Sequence, residues 1–441
     1  MNDWLGSAVA RGETVSDWLS PKRQASLALL REAQWPTRKT EAWKYTPLRV
    51  LAETRFKSEI NAPSGLLNNK QVATKVDIKE VDTVNANGVK AIAGLNSIDL
   101  IFIDGVLQGN LTVENLPAGL SIVSLADAPA AMQNWAAETF TAIKPTRHLF
   151  GLVNDVLATS GLIIDVAAGV TIERPLRIIN YLSRGQEAHT RVLVRLGAAA
   201  KATVIEHYTG NETSFNTGVS EYELAVAAEL EHYRFALQTG EALTVGGSHF
   251  KLGGKAQLNS TLVGFGSDLS RLDVDVTHAG EYAIAKLNAI FLVDGSELID
   301  LHSTIEHAVP HGTTEEKVWG IVAGNARAVF NGRIHIHRDA QKTLAELNNR
   351  NLLLSANAEI NTKPELEIYA DDVRCTHGAT VAQLDKQALY YLQTRGVSKA
   401  QAQIMLSFGF INALVDQMPN QVLAQWLRPQ LRQRFVQMEV K

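Results

Sequence analysis

Cys375 and His377 stand two residues apart in the stretch ADDVRCTHGATV, and they form the most distinctive chemical pair in this sequence. Residues two apart in an extended strand project from the same face, so the thiol and the imidazole would lie side by side. Both groups are natural ligands for zinc, copper or iron. Two ligands do not hold a metal tightly, so a site here needs donors from another chain. A buried structural cysteine is the equally weighted alternative.

Four other histidines form two pairs. His335 and His337 would share one face of a strand, a spacing that can also bind a metal. We favour two solvent-facing histidines there over a metal site. His307 and His311 flank a proline in a loop, where a role as ligands is disfavoured further. Cys375 and His377 therefore remain the leading candidate site.

Signatures of several enzyme classes are absent from the sequence. Gly254 and Lys255 resemble part of a phosphate-binding loop, but Ala256 follows where that loop needs Ser or Thr. His249 also stands where the loop needs its first glycine. No HExxH, GxSxG or dinucleotide-binding glycine motif occurs. We therefore assign no catalytic residue and expect a protein that is not an enzyme.

The composition excludes further classes. The chain has 441 residues with 42 Lys and Arg against 46 Asp and Glu, so no excess of positive charge can neutralise a nucleic-acid backbone. A single cysteine excludes a disulfide framework, a multi-thiolate zinc site and a self-contained cysteine-ligated cluster. No stretch reaches the ~20 apolar residues of a membrane span, and no secretory signal is recognisable. We expect a cytoplasmic protein that binds neither nucleic acid nor membrane.

Residues 1–95 are expected to form an N-terminal helical region. Ser20 and Pro21 form a helix start, a cap followed by proline in the first turn, and the helix stops at Trp35, which precedes a proline. The pattern then changes. Residues 98–103, IDLIFI, form a nearly continuous apolar run that indicates a strand buried on both faces.

Residues 96–365 are expected to form a parallel β-helix core. Short strand-like runs repeat there, each marked by an alanine two residues before an apolar or small residue, at Ala200, Ala228, Ala256, Ala283, Ala326 and Ala358. The spacings of 28, 28, 27, 43 and 32 residues are typical of a solenoid. No helical period fills the gaps, so alternating strands and helices are disfavoured. Strand alternation would place Ile334 and Ile336 inside the core.

Residues 366–441 are expected to form a C-terminal helical region. Asp385 caps a first helix, Gly396 ends it and Ser398 begins the second. A third helix is expected to kink or split at Pro429. The second helix carries more apolar residues than one buried stripe needs. That excess fits docking onto another protein, and capping of the solenoid end is the alternative.

Long consecutive stretches of the sequence resemble the SufB/SufD family of iron–sulfur cluster assembly scaffold proteins. The stretches are VFNGRIHIHRDAQKT (329–343), NNRNLLLSANAEINTKPELEIYADDVRCTHGATVAQLD (348–385), ALYYLQTRGVSKAQAQIMLSFGF (388–410) and the N-terminal TEAWKYTPL (40–48). In having a single cysteine, the chain is more similar to the SufD members than to the SufB members, which carry additional cysteines. The resemblance implies a mainly β fold, a right-handed parallel β-helix flanked by helical regions at both ends.

The resemblance also implies partners and roles. In that family a SufB chain and a SufD chain pair through their β-helices, and the ABC-type ATPase SufC docks on their C-terminal helical regions. A nascent iron–sulfur cluster assembles at the interface that SufC opens. Carried over, His377 would be this chain's ligand with Cys375 in support, and the isolated chain would hold no cluster stably. The residues expected to contact SufC are Leu389, Tyr390, Ile404, Leu406, Phe408 and Phe410.

Two alternative functions are left open. A β-helix carbohydrate-active enzyme, such as a polysaccharide lyase, would need clustered charged residues on one solenoid face and is usually secreted. A self-contained metal-binding protein would use His335 and His337. A homodimer of the isolated chain, formed through the edge that would face SufB, is left open as well.

Overall fold

The fold is a β-solenoid with helices on its flanks. A computed structural model describes residues 3–58, 91–108 and 116–438. It has 42% strand against 23% helix, so the predicted mainly β class is confirmed. Two long sheets face each other across a shared interior core. The first sheet contains β1 (Lys57–Ser58), β4 (Leu120–Ser124), β5 (Ser160–Val166), β7 (Gln186–Leu196), β9 (Ser214–Leu224), β11 (Ala242–Leu252), β13 (Leu269–His278), β15 (Leu298–His307), β17 (Arg327–Ile336) and β19 (Glu359–Ile368).

The second sheet takes the strands that lie between those of the first. It contains β2 (Ile98–Ile103), β3 (Val106–Leu107), β6 (Leu176–Tyr181), β8 (Lys201–Thr209), β10 (Glu229–Ala236), β12 (Gln257–Gly264), β14 (Ile284–Val293), β16 (Thr313–Val322), β18 (Leu344–Leu353) and β20 (Arg374–Ala382). From β5 onward each strand pairs in parallel with the next strand but one, so the chain crosses between the sheets at every step. This connectivity gives a parallel β-solenoid of about eight turns, which confirms the predicted parallel β-helix.

A left-handed backbone position explains the alanine repeat. In the second sheet the first strand residues Lys201, Glu229 and Gln257 are paired in register. Each such strand follows an alanine, and the residue before that alanine has a positive φ, which closes the turn. The same conformation recurs at Ala199, Ala227, Lys255, Tyr282, His311 and Lys342. The last two alanines of the predicted repeat, Ala326 and Ala358, precede strands of the first sheet instead. The long spacing of 43 residues thus reflects a change of sheet.

The N-terminal helices cover the outer face of the first sheet. Their apolar side chains pack with Phe215, Leu243 and Val245, which project outward from that sheet. The helices are α1 (Asp3–Gly12), α2 (Ser20–Glu32), α3 (Arg49–Glu53), α4 (Ala130–Thr139) and α5 (Leu149–Leu157), with a short 3-10 helix at Glu41–Trp43. Helix α2 begins at Ser20 with Pro21 in its first turn, as predicted, but its N-cap residue is Leu19 and no side chain caps it, so the prediction of Ser20 as the cap is wrong. Helices α4 and α5 interrupt the stretch for which only strands were expected.

The C-terminal helices are α6 (Lys386–Thr394), α7 (Lys399–Val415) and α8 (Gln421–Gln437). The predicted caps are present, because Asp385 accepts a hydrogen bond from the backbone N–H of Gln387, and Ser398 and Gln401 form a capping box. Helix α8 continues through Pro429 without a break. None of the helices in the described part of the chain is long and apolar enough to cross a membrane.

Helices α7 and α8 lie on a flank of the solenoid, so the alternative that they cap its end is wrong. Their apolar residues pack with Phe235, Ile290 and Trp319 on the outer face of the second sheet. The strands also continue to Ala382, beyond the expected end of the core at residue 365. A separate interior core runs along the solenoid, and it contains the fully buried Ile334 and Ile336, as predicted.

Candidate functional site

Cys375 and His377 lie on the last strand of the solenoid rather than beyond it. In β20 they pair with Ala345 and Leu347 of β18, both of which are buried in the interior core. Parallel strands in register stack their side chains in columns, so Cys375 and His377 continue two inward-facing columns. No described strand follows β20 in its sheet. The thiol is therefore half-buried and the imidazole is exposed.

The inward face of the last strand of the first sheet is uncovered in the same way. In β19, Leu366 and Ile368 pair with the fully buried Ile334 and Ile336, yet Leu366 is only partly buried and Ile368 is 42% exposed. Val381 of β20 is 47% exposed. We call the inward-facing residues Leu366, Ile368, Cys375, His377 and Val381 the open end. It is an interior core exposed in cross-section, with one thiol and one imidazole among apolar side chains.

The electrostatics of the open end make Cys375 a poor nucleophile. Burial raises the pKa of the Cys375 thiol, and a hydrogen bond with the backbone of Ala345 offsets only part of that rise. The thiol therefore stays protonated at neutral pH, and only the thiolate is reactive. A metal ion can displace that proton and bind the sulfur. The pair therefore suits ligation of a metal better than covalent catalysis.

His335 and His337 point outward from β17, as predicted, but they face glutamates. His335 Nδ1 lies 2.8 Å from an Oε2 of Glu367, and His337 Nε2 lies 3.7 Å from an Oε2 of Glu306. Hydrogen bonds from Arg333 and His335 lower the pKa of Glu367 to about 2. The two rings do not converge with a third metal-binding side chain within the described residues.

The residues predicted to contact SufC divide into two groups. Ile404, Phe408 and Phe410 pack against the core between the helices and the second sheet, and Phe410 stacks on Trp319 at 5.1 Å between ring centroids. The other three do not belong to that core: Tyr390 is 70% exposed, and Leu389 and Leu406 are partly buried. Two further side chains on these helices, Tyr391 and Met405, are exposed and lie outside the predicted set.

The segment TEAWKYTPL is occupied by packing within the chain. Trp43 is buried, and the guanidinium of Arg271 lies 4.0 Å from the centroid of its ring. Thr46 donates a hydrogen bond to the buried carboxylate of Asp300. These contacts attach the N-terminal region to the outer face of the first sheet, so this motif anchors the fold.

Comparisons with known proteins match nearly the whole chain. Residues 10–178 match the SufBD protein N-terminal region, and residues 179–410 match the SufBD core domain of SUF-system FeS cluster assembly. The chain is 30% identical to the iron–sulfur cluster assembly protein SufD of Escherichia coli, over 94% of this chain and 93% of that protein. It is 28% identical to a SufBD family protein of Synechocystis, over 92% and 89%. It is 26% identical to the chloroplastic protein ABCI7 of Arabidopsis thaliana, over 92% and 86%. Since both halves of the solenoid chain match, it belongs to the SufBD family of SUF-system iron–sulfur cluster assembly proteins.

Proposed function

We propose that this chain is a non-enzymatic scaffold subunit that pairs with a SufB-like protein through its open end. The observation that supports the proposal is the uncovered interior core, where Leu366, Ile368 and Val381 meet solvent although their columns are buried one turn earlier. Another strand layer would remove these apolar side chains from water, and a second solenoid can supply that layer. The alternative function of a carbohydrate-active enzyme rested on the solenoid fold alone. Membership of the SufBD family now accounts for that fold, so this alternative is no longer supported.

His377 and Cys375 would then face the partner and bind a nascent iron–sulfur cluster, which is the cargo of the assembly reaction. One imidazole and one thiol are too few ligands for a cluster, so thiolates of the SufB-like chain complete the set. His377 is the more available ligand, since its side chain is exposed while Cys375 is half-buried and protonated. The isolated chain would therefore not retain a cluster.

The energy source in this proposal is a separate SufC-type ATPase docked on the C-terminal helices. The sequence of this chain contains no phosphate-binding loop. Tyr390, Leu389 and Leu406 offer accessible apolar surface on α6 and α7. We place the complex in the cytoplasm, with no nucleic-acid or membrane partner.

Co-purification tests the partners. The tagged chain is expressed with its native neighbouring proteins, and the eluted proteins are identified by mass spectrometry. We expect an ABC-type ATPase and a SufB-like chain. A chain that elutes alone under these conditions would contradict the scaffold proposal.

The His377→Ala variant tests the site. We expect the complex to form with parental stoichiometry, because an exposed imidazole contributes little to folding, while cluster formation falls at least about tenfold. The measurement is the rate of cluster formation in the reconstituted complex, followed by visible absorbance and circular dichroism. The matched control is His337→Ala, which removes a histidine from the outer face and should keep the parental rate. A parental rate in His377→Ala would contradict the assignment.

Cys375→Ala is expected to reduce the rate less than His377→Ala. The sulfur is half-buried, its pKa is raised, and the partner supplies thiolates of its own in this proposal. The same reconstitution assay measures both variants. An equal or greater loss in Cys375→Ala would make the thiol the main ligand and reverse the ranking.

A further inference from the structure

Three metal-binding side chains meet on the flank of the solenoid, far along the chain from the open end. His249 of β11 and Asp275 of β13 are paired in register and project from the outer face of the first sheet. His148 is the N-cap residue of α5, which packs on that face. His249 and Asp275 are buried, and the side chain of His148 is 12% exposed, which leaves a short route to solvent.

The three side chains are close enough to share one ion. Asp275 Oδ2 lies 2.8 Å from His148 Nε2 and 2.8 Å from His249 Nδ1. One ligand atom from each residue can be chosen so that all three lie within 4.8 Å of one another. Two imidazoles and one carboxylate are a common ligand set for zinc and for ferrous iron, with the remaining positions left to water.

A second carboxylate lies near the other ring nitrogen of His148. Asp273 Oδ1 lies 3.6 Å from His148 Nδ1, on the opposite side of the ring from Asp275. A proton held on Nδ1 and directed toward Asp273 leaves the lone pair of Nε2 available to an ion. Carboxylates in this position orient metal-binding histidines in many proteins. Asp273 is itself held by Arg271, whose Nη2 lies 3.0 Å from its Oδ1.

The local balance of charge leaves room for a cation. Asp273, Asp275 and Asp300 bring three buried carboxylates to this face, and the buried Arg271 pairs with Asp273 and Asp300. The arginine that reaches Asp275 is Arg147, whose side chain is 46% exposed. Buried carboxylates require compensating positive charge. A divalent ion between the two imidazoles would supply it for Asp275.

We infer that His148, His249 and Asp275 form a binding site for a divalent transition-metal ion of the zinc or ferrous type. The ion would join the N-terminus of α5 to two neighbouring strands and so stabilise the packing of the helices on the first sheet. This site is separate from the open end, and the inference does not depend on a SufB-like partner. Arg147 would act as a competitor that leaves Asp275 when the ion binds.

Metal titration of the full-length isolated chain, stripped with a chelator, tests the site. We expect one equivalent of Zn²⁺ to bind in calorimetry, Co²⁺ to give the intense visible bands of a low-coordinate nitrogen and oxygen site, and Tm to rise with Zn²⁺ concentration. His148→Ala and Asp275→Asn should abolish these signals. The controls His335→Ala/His337→Ala and His377→Ala should keep them.

Arg147→Gln distinguishes a metal site from a hydrogen-bonded network that binds no ion. Removing a half-exposed competitor should tighten Zn²⁺ binding roughly fivefold, the effect expected of one surface ion pair, without unfolding the chain. If Asp275→Asn does not fold, His148→Ala and Arg147→Gln still decide. Absence of stoichiometric binding by the parent, or binding retained in His148→Ala, would overturn the inference.

Discussion

At the scale of single residues, the interior of the solenoid contains a carboxyl group that is poorly placed for a charge. Glu316 of β16 is paired with Leu287 and Leu347, whose side chains also lie in the core, and it is 2% exposed. Its Oε2 has no hydrogen-bond partner among the described residues. Burial raises the pKa of Glu316 to about 7 from the usual 4.5. The folded protein therefore prefers this group protonated.

We predict that Glu316→Gln stabilises the protein above neutral pH. Because the folded pKa lies above the unfolded one, the parent has its full stability below about pH 4.5 and loses some as the pH rises through 7. The neutral amide avoids this loss of up to about 3 kcal/mol at pH 8. The net gain in stability is smaller than that by the cost of burying an amide. Urea unfolding at pH 5 and pH 8 measures the difference.

The matched control for that variant is Glu315→Gln on the same strand. Glu315 points outward and pairs with Lys317, so its replacement should change stability by less than about 1 kcal/mol at both pH values. If Glu316→Gln and the parent lose the same stability between pH 5 and pH 8, the Glu316 carboxyl is not the source of the loss.

At the scale of the elements, the C-terminal helices differ in what they bury. Helix α6 has no buried residue, whereas α7 and α8 contribute Ile411, Leu414 and Leu427 to the core on the second sheet. Tyr390 and Tyr391 of α6 are 70% and 58% exposed. The apolar excess of this region thus has two separate explanations. Most of α7 is occupied by packing within the chain, and α6 presents aromatic surface outward.

We predict that a Tyr390→Ala/Tyr391→Ala variant weakens binding of the SufC-type ATPase by at least about tenfold while its thermal stability stays parental, because exposed aromatic residues dominate docking energies. Isothermal titration with the purified ATPase measures the affinity. The control Tyr282→Ala removes a half-exposed tyrosine from a solenoid turn and should bind normally. Parental affinity in the double variant would exclude α6 as the docking surface.

Phe410→Ala separates docking from packing on α7. Phe410 stacks on Trp319, so its loss should destabilise the chain by about 2 kcal/mol. We expect any loss of ATPase affinity in this variant to accompany that lower stability, as seen by urea unfolding. A variant of parental stability that fails to bind would instead make Phe410 a direct contact, as its position in the sequence first suggested.

At the scale of the whole molecule, the helices cover both flanks of the solenoid, while no other described residue covers the end formed by β19 and β20. A solenoid without a terminal cap exposes apolar side chains and unpaired strand edges, which favour association. We therefore predict that the isolated chain dimerises through its open end at high concentration. Sedimentation velocity over a range of concentrations measures this.

Val381→Lys should shift that equilibrium toward the monomer. A lysine at the open end would lose solvation and repel its copy in a symmetric dimer. The control Val436→Lys changes a 72% exposed valine of α8, on the flank, and should leave association unchanged. Dimerisation that persists unaltered in Val381→Lys would place the contact elsewhere.

The sequence alone was sufficient for features that depend on local chemistry. The 28-residue period, the presence of a strand at residues 98–103, the caps at Asp385 and Ser398, and the inward direction of Ile334 and Ile336 were all predictable. Each follows from alternation, turn geometry or capping within a few residues. The burial of the strand at residues 98–103 on both faces was not confirmed, because its residues alternate between buried and more exposed. The single cysteine likewise limited the metal chemistry before any fold was known.

Only the tertiary structure decided which surfaces those elements cover. Phe410 is equally apolar whether it packs on Trp319 or on a partner. The sequence around His377 likewise does not show whether another strand layer follows β20. His148, His249 and Asp275 are separated by up to 127 residues and meet because α5 lies across neighbouring strands. Burial and proximity arise from contacts distant in sequence, and no local pattern contains them.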